Sequence, residues 1–213
     1  MTCPSQARLK AACETLSLAD PALARAYDLT GLPVWRAGDP TYAMLARMIT
    51  HQQISLGAAA AIWARTEALL GAVTPEAVLA ADPEALRACG QSRPKVGHLV
   101  SIAEAVVAGT LSLPRVCDAP LDDARKELVS AKGIGPWTAE LFLLYSIGAM
   151  DAFPVGDVGL MEAHKRLSGH ETRMDIKGFT AHAERWRPHR GVAAHLLWAW
   201  LHLDRGDAAP SPS

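Results

Sequence analysis

Long apolar runs are missing from this chain. No stretch of about 18 consecutive apolar residues occurs, so no segment is expected to cross a membrane as a helix. The N-terminus, Met1-Thr2-Cys3-Pro4-Ser5-Gln6-Ala7-Arg8, lacks the apolar core of a signal peptide. Cysteine is scarce. Cys3, Cys13, Cys89 and Cys117 are too scattered for a disulfide framework, or for a zinc or iron–sulfur ligand set. Reduced thiols in a cytoplasmic protein are the expectation. The eight histidines show no metal-ligand spacing with carboxylates, so no metal is assigned. Charge of either sign is not in excess: the net charge is −1 and the pI near 6.7. That counts against a broad basic coat for nucleic acid, and does not exclude a compact site built from backbone amides and a few cations.

Aromatics are few at 6%, half the residues are hydrophobic, and alanine is abundant, which favours packed helices over a sheet. No alternating strand pattern and no internal repeat competes, so the fold class is all-α. A length of 213 residues allows one large domain or two small lobes. The expected division puts one lobe at residues 39–118 and the other at 1–38 plus 119–205, with a cleft between them. Asp39-Pro40, Thr74-Pro75 and Asp82-Pro83 each place a capping side chain before a proline suited to a first helical position. Ser55 can cap a helix over 56–70 that Gly71 ends. Residues 93–107, 121–131, 137–149, 158–167, 179–186 and 191–203 read as further helices, 110–120 as a loop, and 206–213 as a disordered tail.

The most informative string is Lys132-Gly133-Ile134-Gly135-Pro136-Trp137-Thr138-Ala139, flanked by the apolar runs 128–131 and 141–144. A Gly-x-Gly pair between two buried helices lets the backbone turn tightly and bring its amides to an outside group such as a phosphate. Both glycines are expected in conformations that larger residues resist. Asp157 follows. The 13 residues 137–149 would rise about 20 Å, and the seven residues Met150–Gly156 could span roughly 23 Å. That reach could return Asp157 to the hairpin's end or carry it sideways. Asp157 also precedes the apolar pattern Val158, Leu160, Met161, as an ordinary N-cap would. Both roles suit a carboxylate, since a helix N-terminus favours negative charge beside it. An ionised carboxylate next to a nucleotide sugar can stabilise an oxocarbenium-like state or deprotonate a water.

Five segments together resemble the 3-methyladenine DNA glycosylase II family of helix–hairpin–helix DNA glycosylases. They are Gly133–Ala139; Phe153-Pro154-Val155-Gly156-Asp157; Met48–Ser55 with its Gln52-Gln53-Ile54-Ser55; Ser92-Arg93-Pro94-Lys95; and Trp186-Arg187-Pro188-His189-Arg190. They cover about residues 40–203 in the family's order. The resemblance implies that Asp157 is the catalytic aspartate. It also implies that Trp137 stands where bifunctional relatives carry a Schiff-base lysine, so base excision should occur without a strand cut. Trp137, Leu141, Trp186 and His189 become the base-pocket positions. Lys132, Gly133, Ile134, Gly135 and Thr138 become the DNA anchor. Gln52 and Gln53, which as bare sequence read as a polar helix end, become candidates to probe the gap left by a flipped nucleotide. Trp198 and Trp200 read as core. No cofactor is implied beyond a monovalent cation that hairpin carbonyls could hold.

Leu141 stands where some relatives have a tyrosine, and His189 where an aromatic is frequent, so the pocket is expected to be more open. The residues before Asp39 are too few for the β-rich domain of larger members. The implied partner is double-stranded DNA with alkylated bases, met by a monomer. Two other readings compete: a non-catalytic helix–hairpin–helix module that grips DNA, and a glycosylase for oxidised or mismatched bases.

Overall fold

The computed structural model describes residues 3–206; the expected tail beyond Gly206 lies outside them. Among the described residues all regular structure is helical: α1 (Gln6–Ala19), α2 (Pro21–Thr30), α3 (Tyr42–His51), α4 (Leu56–Leu70), α5 (Pro75–Ala80), α6 (Pro83–Ala88), α7 (Arg93–Val107), α8 (Leu113–Asp118), α9 (Leu121–Ser130), α10 (Pro136–Phe142), α11 (Val158–Ser168), α12 (Ile176–Ala183) and α13 (Arg190–Arg205). None is long and apolar enough to cross a membrane. The chain divides into two compact units. One runs from Asp39 to Ser146; the other joins the segment ending at Gly38 to the segment beginning at Ile147.

The boundary differs from the expected one. Residues 119–146, with the hairpin, belong with residues 39–118, because α10 packs on both α9 and α3. Within this unit α3 also contacts α4 and α7, and α5 packs along α7. The core is built from Leu45, Ile49, Leu86, Leu99, Ile102, Leu128 and Phe142, each with almost no exposed surface. Polar links lock the elements. The Tyr42 hydroxyl donates to the Leu99 carbonyl at 2.8 Å, and buried Gln91 donates to Thr50 and Thr66. Glu140, buried on α10, is ion-paired with Arg125 on α9, tying the two hairpin helices together. Without that partner a buried carboxylate would be strongly destabilising.

In the second unit α13 lies against α1, α2 and α11, with Val192, Ala193, Ala194, Leu196 and Leu197 fully buried. In an aromatic cluster, Phe153 and Phe179 each pack edge-on to Trp186 and tilted to each other, with ring centres 5.7–5.8 Å apart.

Most helix starts lie where the caps place them: Ser55, Thr74, Asp82 and Ser92 each accept a backbone N–H from the first turn. Three expectations are corrected. Asp39-Pro40 does not open α3; Thr41 caps it, accepting from the Met44 amide. The supposed loop 110–120 contains α8, started by Ser112 and held down by buried Leu111, Leu113 and Val116. The helix after the hairpin is α-helical only to Phe142, and Leu143–Ile147 form a wider π turn.

Candidate active site

The hairpin forms where α9 ends at Ser130 and the Ile134 amide donates back to the Ala131 carbonyl at 3.1 Å. Gly133 has φ +106°, and a Cβ there would stand 2.8 Å from Cβ of His98 on α7. Glycine is therefore required twice, by dihedral and by space. Gly135 differs from expectation. Its φ is −82°, an ordinary extended value, and nothing lies within 4 Å of where its Cβ would be. Its backbone is simply open to the outside. From it α10 starts with Pro136 in the first turn and no side-chain cap, which leaves the amide end of the helix facing outward, suited to an anion.

Other hairpin assignments divide. Lys132 is exposed. Ile134 is buried, with its amide already used in the turn, and Thr138 is buried with its hydroxyl accepting from Gln52 Nε2 at 2.8 Å. Neither side chain is offered to a ligand; both hold the hairpin's shape. Leu141 is 6% exposed and packs in the core, so it is no pocket wall. Trp137, at the second position of α10, is half-buried.

Gln52 and Gln53 also part company. Gln52 is tied to Thr138, and its carbonyl accepts from Lys95 Nζ, which also binds the Thr50 carbonyl, each at 2.7 Å. Burial lowers the Lys95 pKa. This lysine, placed by the Ser92 cap, thus closes the C-terminal end of α3. Gln53 is exposed with φ +58°, the one described non-glycine residue in the left-handed region.

In the other unit, Asp157 is half-buried at the N-cap of α11. Its Oδ1 accepts from the Leu160 amide at 2.9 Å and from Trp198 Nε1 at 3.4 Å. The preceding loop is pinned at two points. Phe153 is sunk in the aromatic cluster, and Asp151 accepts from Arg190 Nε and Nη2 at 3.0 Å and from Arg187 Nη1 at 2.6 Å. Gly156, at φ +84°, makes the last turn into Asp157. Gly159 keeps space beneath the carboxylate, since a Cβ there would approach Oδ1 to 3.1 Å.

Trp198 was not singled out by sequence reasoning, which placed it in the core. It is half-buried beside the carboxylate, edge-on to His195, which in turn stacks on Trp35 with centres 4.2 Å apart. Burial is the main cause that pushes the His195 pKa down, to about 4. Its Nε2 receives the Arg36 amide and its Nδ1 lies 2.8 Å from the Gly191 carbonyl, an arrangement for a neutral ring. Trp186, by contrast, is 1% exposed, with its indole N–H donating to Asp20 at 3.0 Å, so it is not a pocket residue. His189 is half-buried at the N-cap position of α13, where its side chain makes no capping hydrogen bond.

Comparison with known proteins agrees with this layout. The model of the HhH-GPD superfamily of base excision DNA repair proteins matches residues 46–188. DNA-3-methyladenine glycosylase 1 of Schizosaccharomyces pombe is 33% identical over 164 residues, 74% of this chain and 71% of that one. DNA-3-methyladenine glycosylase 2 of Escherichia coli is 31% identical over 163 residues, 71% of this chain and 55% of that one. The structure of the S. pombe 3-methyladenine DNA glycosylase Mag1 with abasic DNA superposes with a TM-score of 0.79 at 30% identity, covering 88% of this chain and 94% of that one. A match of that extent, over the hairpin, the capped carboxylate and the loop that carries it, makes this chain a member of the HhH-GPD superfamily of base excision DNA repair proteins.

Proposed function

We propose that the chain is a monofunctional DNA glycosylase that removes alkylated bases, such as 3-methyladenine, from double-stranded DNA by hydrolysing the N-glycosidic bond. The observation that carries this reading is Asp157, fixed at a helix N-terminus by two N–H donors and a doubly anchored loop. The names of its relatives support that substrate class. As the base–sugar bond breaks, its electron pair leaves with the base and neutralises the alkylated ring. Positive charge gathers on the sugar, where a preorganised carboxylate stabilises it. Water then adds to the sugar carbon, and its proton passes through Asp157 to solvent. One carboxylate suffices because a cationic base is already a good leaving group, unlike the neutral leaving groups for which glycosidases use two. Trp198 offers an aromatic face beside the carboxylate, worth about 0.5–2 kcal/mol towards a cationic ring.

Gln53, not Gln52, is the residue free to enter the gap left by a flipped nucleotide, since Gln52 is committed to Thr138 and Lys95. Trp137, where a lysine nucleophile would be needed for lyase chemistry, leaves the strand intact. The test is base release from alkylated and undamaged duplex under single-turnover conditions. Release from alkylated duplex alone is expected, with abasic sites that break only after heat or alkali. Gln53→Ala should slow release from paired duplex more than from single strands. A borohydride-trapped lysine adduct would remove the monofunctional assignment. Binding without any base release would favour the DNA-gripping module.

A further inference from the structure

Far apart in sequence, Asp20 at the N-cap of α2, His164 on α11 and His182 on α12 converge within one unit, a juxtaposition their spacing does not reveal. Their ligand atoms lie within 4.8 Å of one another. Asp20 Oδ1 is held by the Ala22 amide at 2.9 Å. Its Oδ2 faces three nitrogen donors: His182 Nε2 at 2.7 Å, Trp186 Nε1 at 3.0 Å and His164 Nε2 at 3.3 Å. One carboxylate oxygen has two lone pairs, so three donors over-subscribe it. Trp186 can use one pair. A single cation bound to the other, and to both imidazoles, would replace two crowded N–H donors.

We propose that Asp20, His164 and His182 form a binding site for a borderline transition-metal ion, Zn(II) by preference, that cross-links α2, α11 and α12. Two imidazoles and a carboxylate suit zinc rather than calcium or magnesium, which take oxygen ligands. Tetrahedral bonds of about 2.0–2.1 Å set neighbouring ligand atoms roughly 3.3 Å apart. The His164–Asp20 distance already has that value. His182, the most accessible of the three, must withdraw from 2.7 Å by about half an ångström. Around them, Trp186 orients the Asp20 carboxylate, the kind of outer contact that fixes a ligand, while the Ser168 hydroxyl lies beside the His164 ring, 3.5 Å from Nδ1 and 3.4 Å from Nε2. Water completes the fourth position on the exposed side of His182. The site is separate from Asp157 and owes nothing to the proposed glycosylase reading.

The experiment titrates Zn(II) into the full, tag-free, chelator-stripped chain by calorimetry, with a thermal melt alongside and Co(II) as a spectroscopic probe. One equivalent should bind near pH 7.5 and be released as pH falls through the histidine range, because ligation needs neutral imidazoles. At roughly a hundredfold excess over the dissociation constant, Tm should rise by about 5 °C or more. The Co(II) form should show tetrahedral d–d bands without a thiolate charge-transfer band. His182→Ala, checked for folding by its metal-free melt, should weaken binding at least about tenfold. No stoichiometric uptake, unchanged affinity in His182→Ala, or a thiolate band from cysteine ligation would each overturn the site.

Discussion

At the scale of single residues, Asp157 separates a structural from a chemical role. It is an N-cap, with the Leu160 amide on Oδ1. Asparagine caps almost as well as aspartate, so a purely capping residue would tolerate Asp157→Asn in both stability and rate. A carboxylate that stabilises charge on the sugar would not. The expectation is a near-normal melt and DNA affinity with excision slowed by about two to four orders of magnitude, or roughly 3–5 kcal/mol of transition-state stabilisation. Single-turnover kinetics with excess enzyme measure it, and near wild-type excision would reduce Asp157 to a cap. The second N–H on Oδ1 comes from Trp198, a neighbour 41 positions away that no local pattern could announce.

Among the elements, the two hairpin glycines make unequal predictions. At Gly133 the φ of +106° and the 2.8 Å approach to His98 mean that Gly133→Ala must move the turn or α7. Duplex affinity at fixed salt should fall at least about tenfold, with unchanged helix content by circular dichroism showing that the loss is not unfolding; such strained substitutions cost of order 1–3 kcal/mol. At Gly135 a Cβ meets open space at a normal φ, so Gly135→Ala should leave stability unchanged and act only by crowding an approaching phosphate. Equal, unperturbed binding by both variants would remove the hairpin as the anchor. The Trp186–Arg190 segment has a meaning its sequence hides: Arg190 grips Asp151 and so fixes the loop that ends at Asp157, while Trp186 supports Asp20.

Across the whole molecule, buried titratable groups set the response to acid. His195 has a folded pKa near 4, depressed by burial, against about 6.5 in an unfolded chain. The unfolded chain therefore binds a proton more readily, so this stabilisation is complete above about pH 6.5 and is lost as pH falls towards 4, some 3 kcal/mol in all. His51 acts with the same sign, its pKa lowered by burial and then by Arg47 and Lys95. For Asp20 burial alone would raise the pKa, but hydrogen bonds from His164, His182 and Ala22 outweigh it and hold the carboxyl well below the usual range. Its stabilisation is present above the unfolded aspartate pKa and fades only below it. Urea melts from pH 7 to 4 should show stability declining with acid in wild type and a shallower decline in His195→Gln. Parallel slopes would dismiss His195 as the sensor.

Composition, capping residues and helical periodicity determined the all-α class, most helix starts and the hairpin, because these depend on contacts within a few residues; Asp157 read locally as a cap, and the resemblance of its motif made it the catalytic candidate. Ser55, Thr74, Asp82 and Ser92 bind amides in their own first turns, and no distant group can alter that signal. Tertiary structure alone decided which side chains face a ligand and which are buried. Thr138, Ile134, Leu141 and Trp186 carry the residue types of a site but sit in the core, whereas Trp198, read as core, stands beside Asp157. The meeting of Asp20, His164 and His182 across 162 positions belongs to the same class. Helical period gives the face on which a residue lies, and only the packing of helices far apart in the chain says what that face meets.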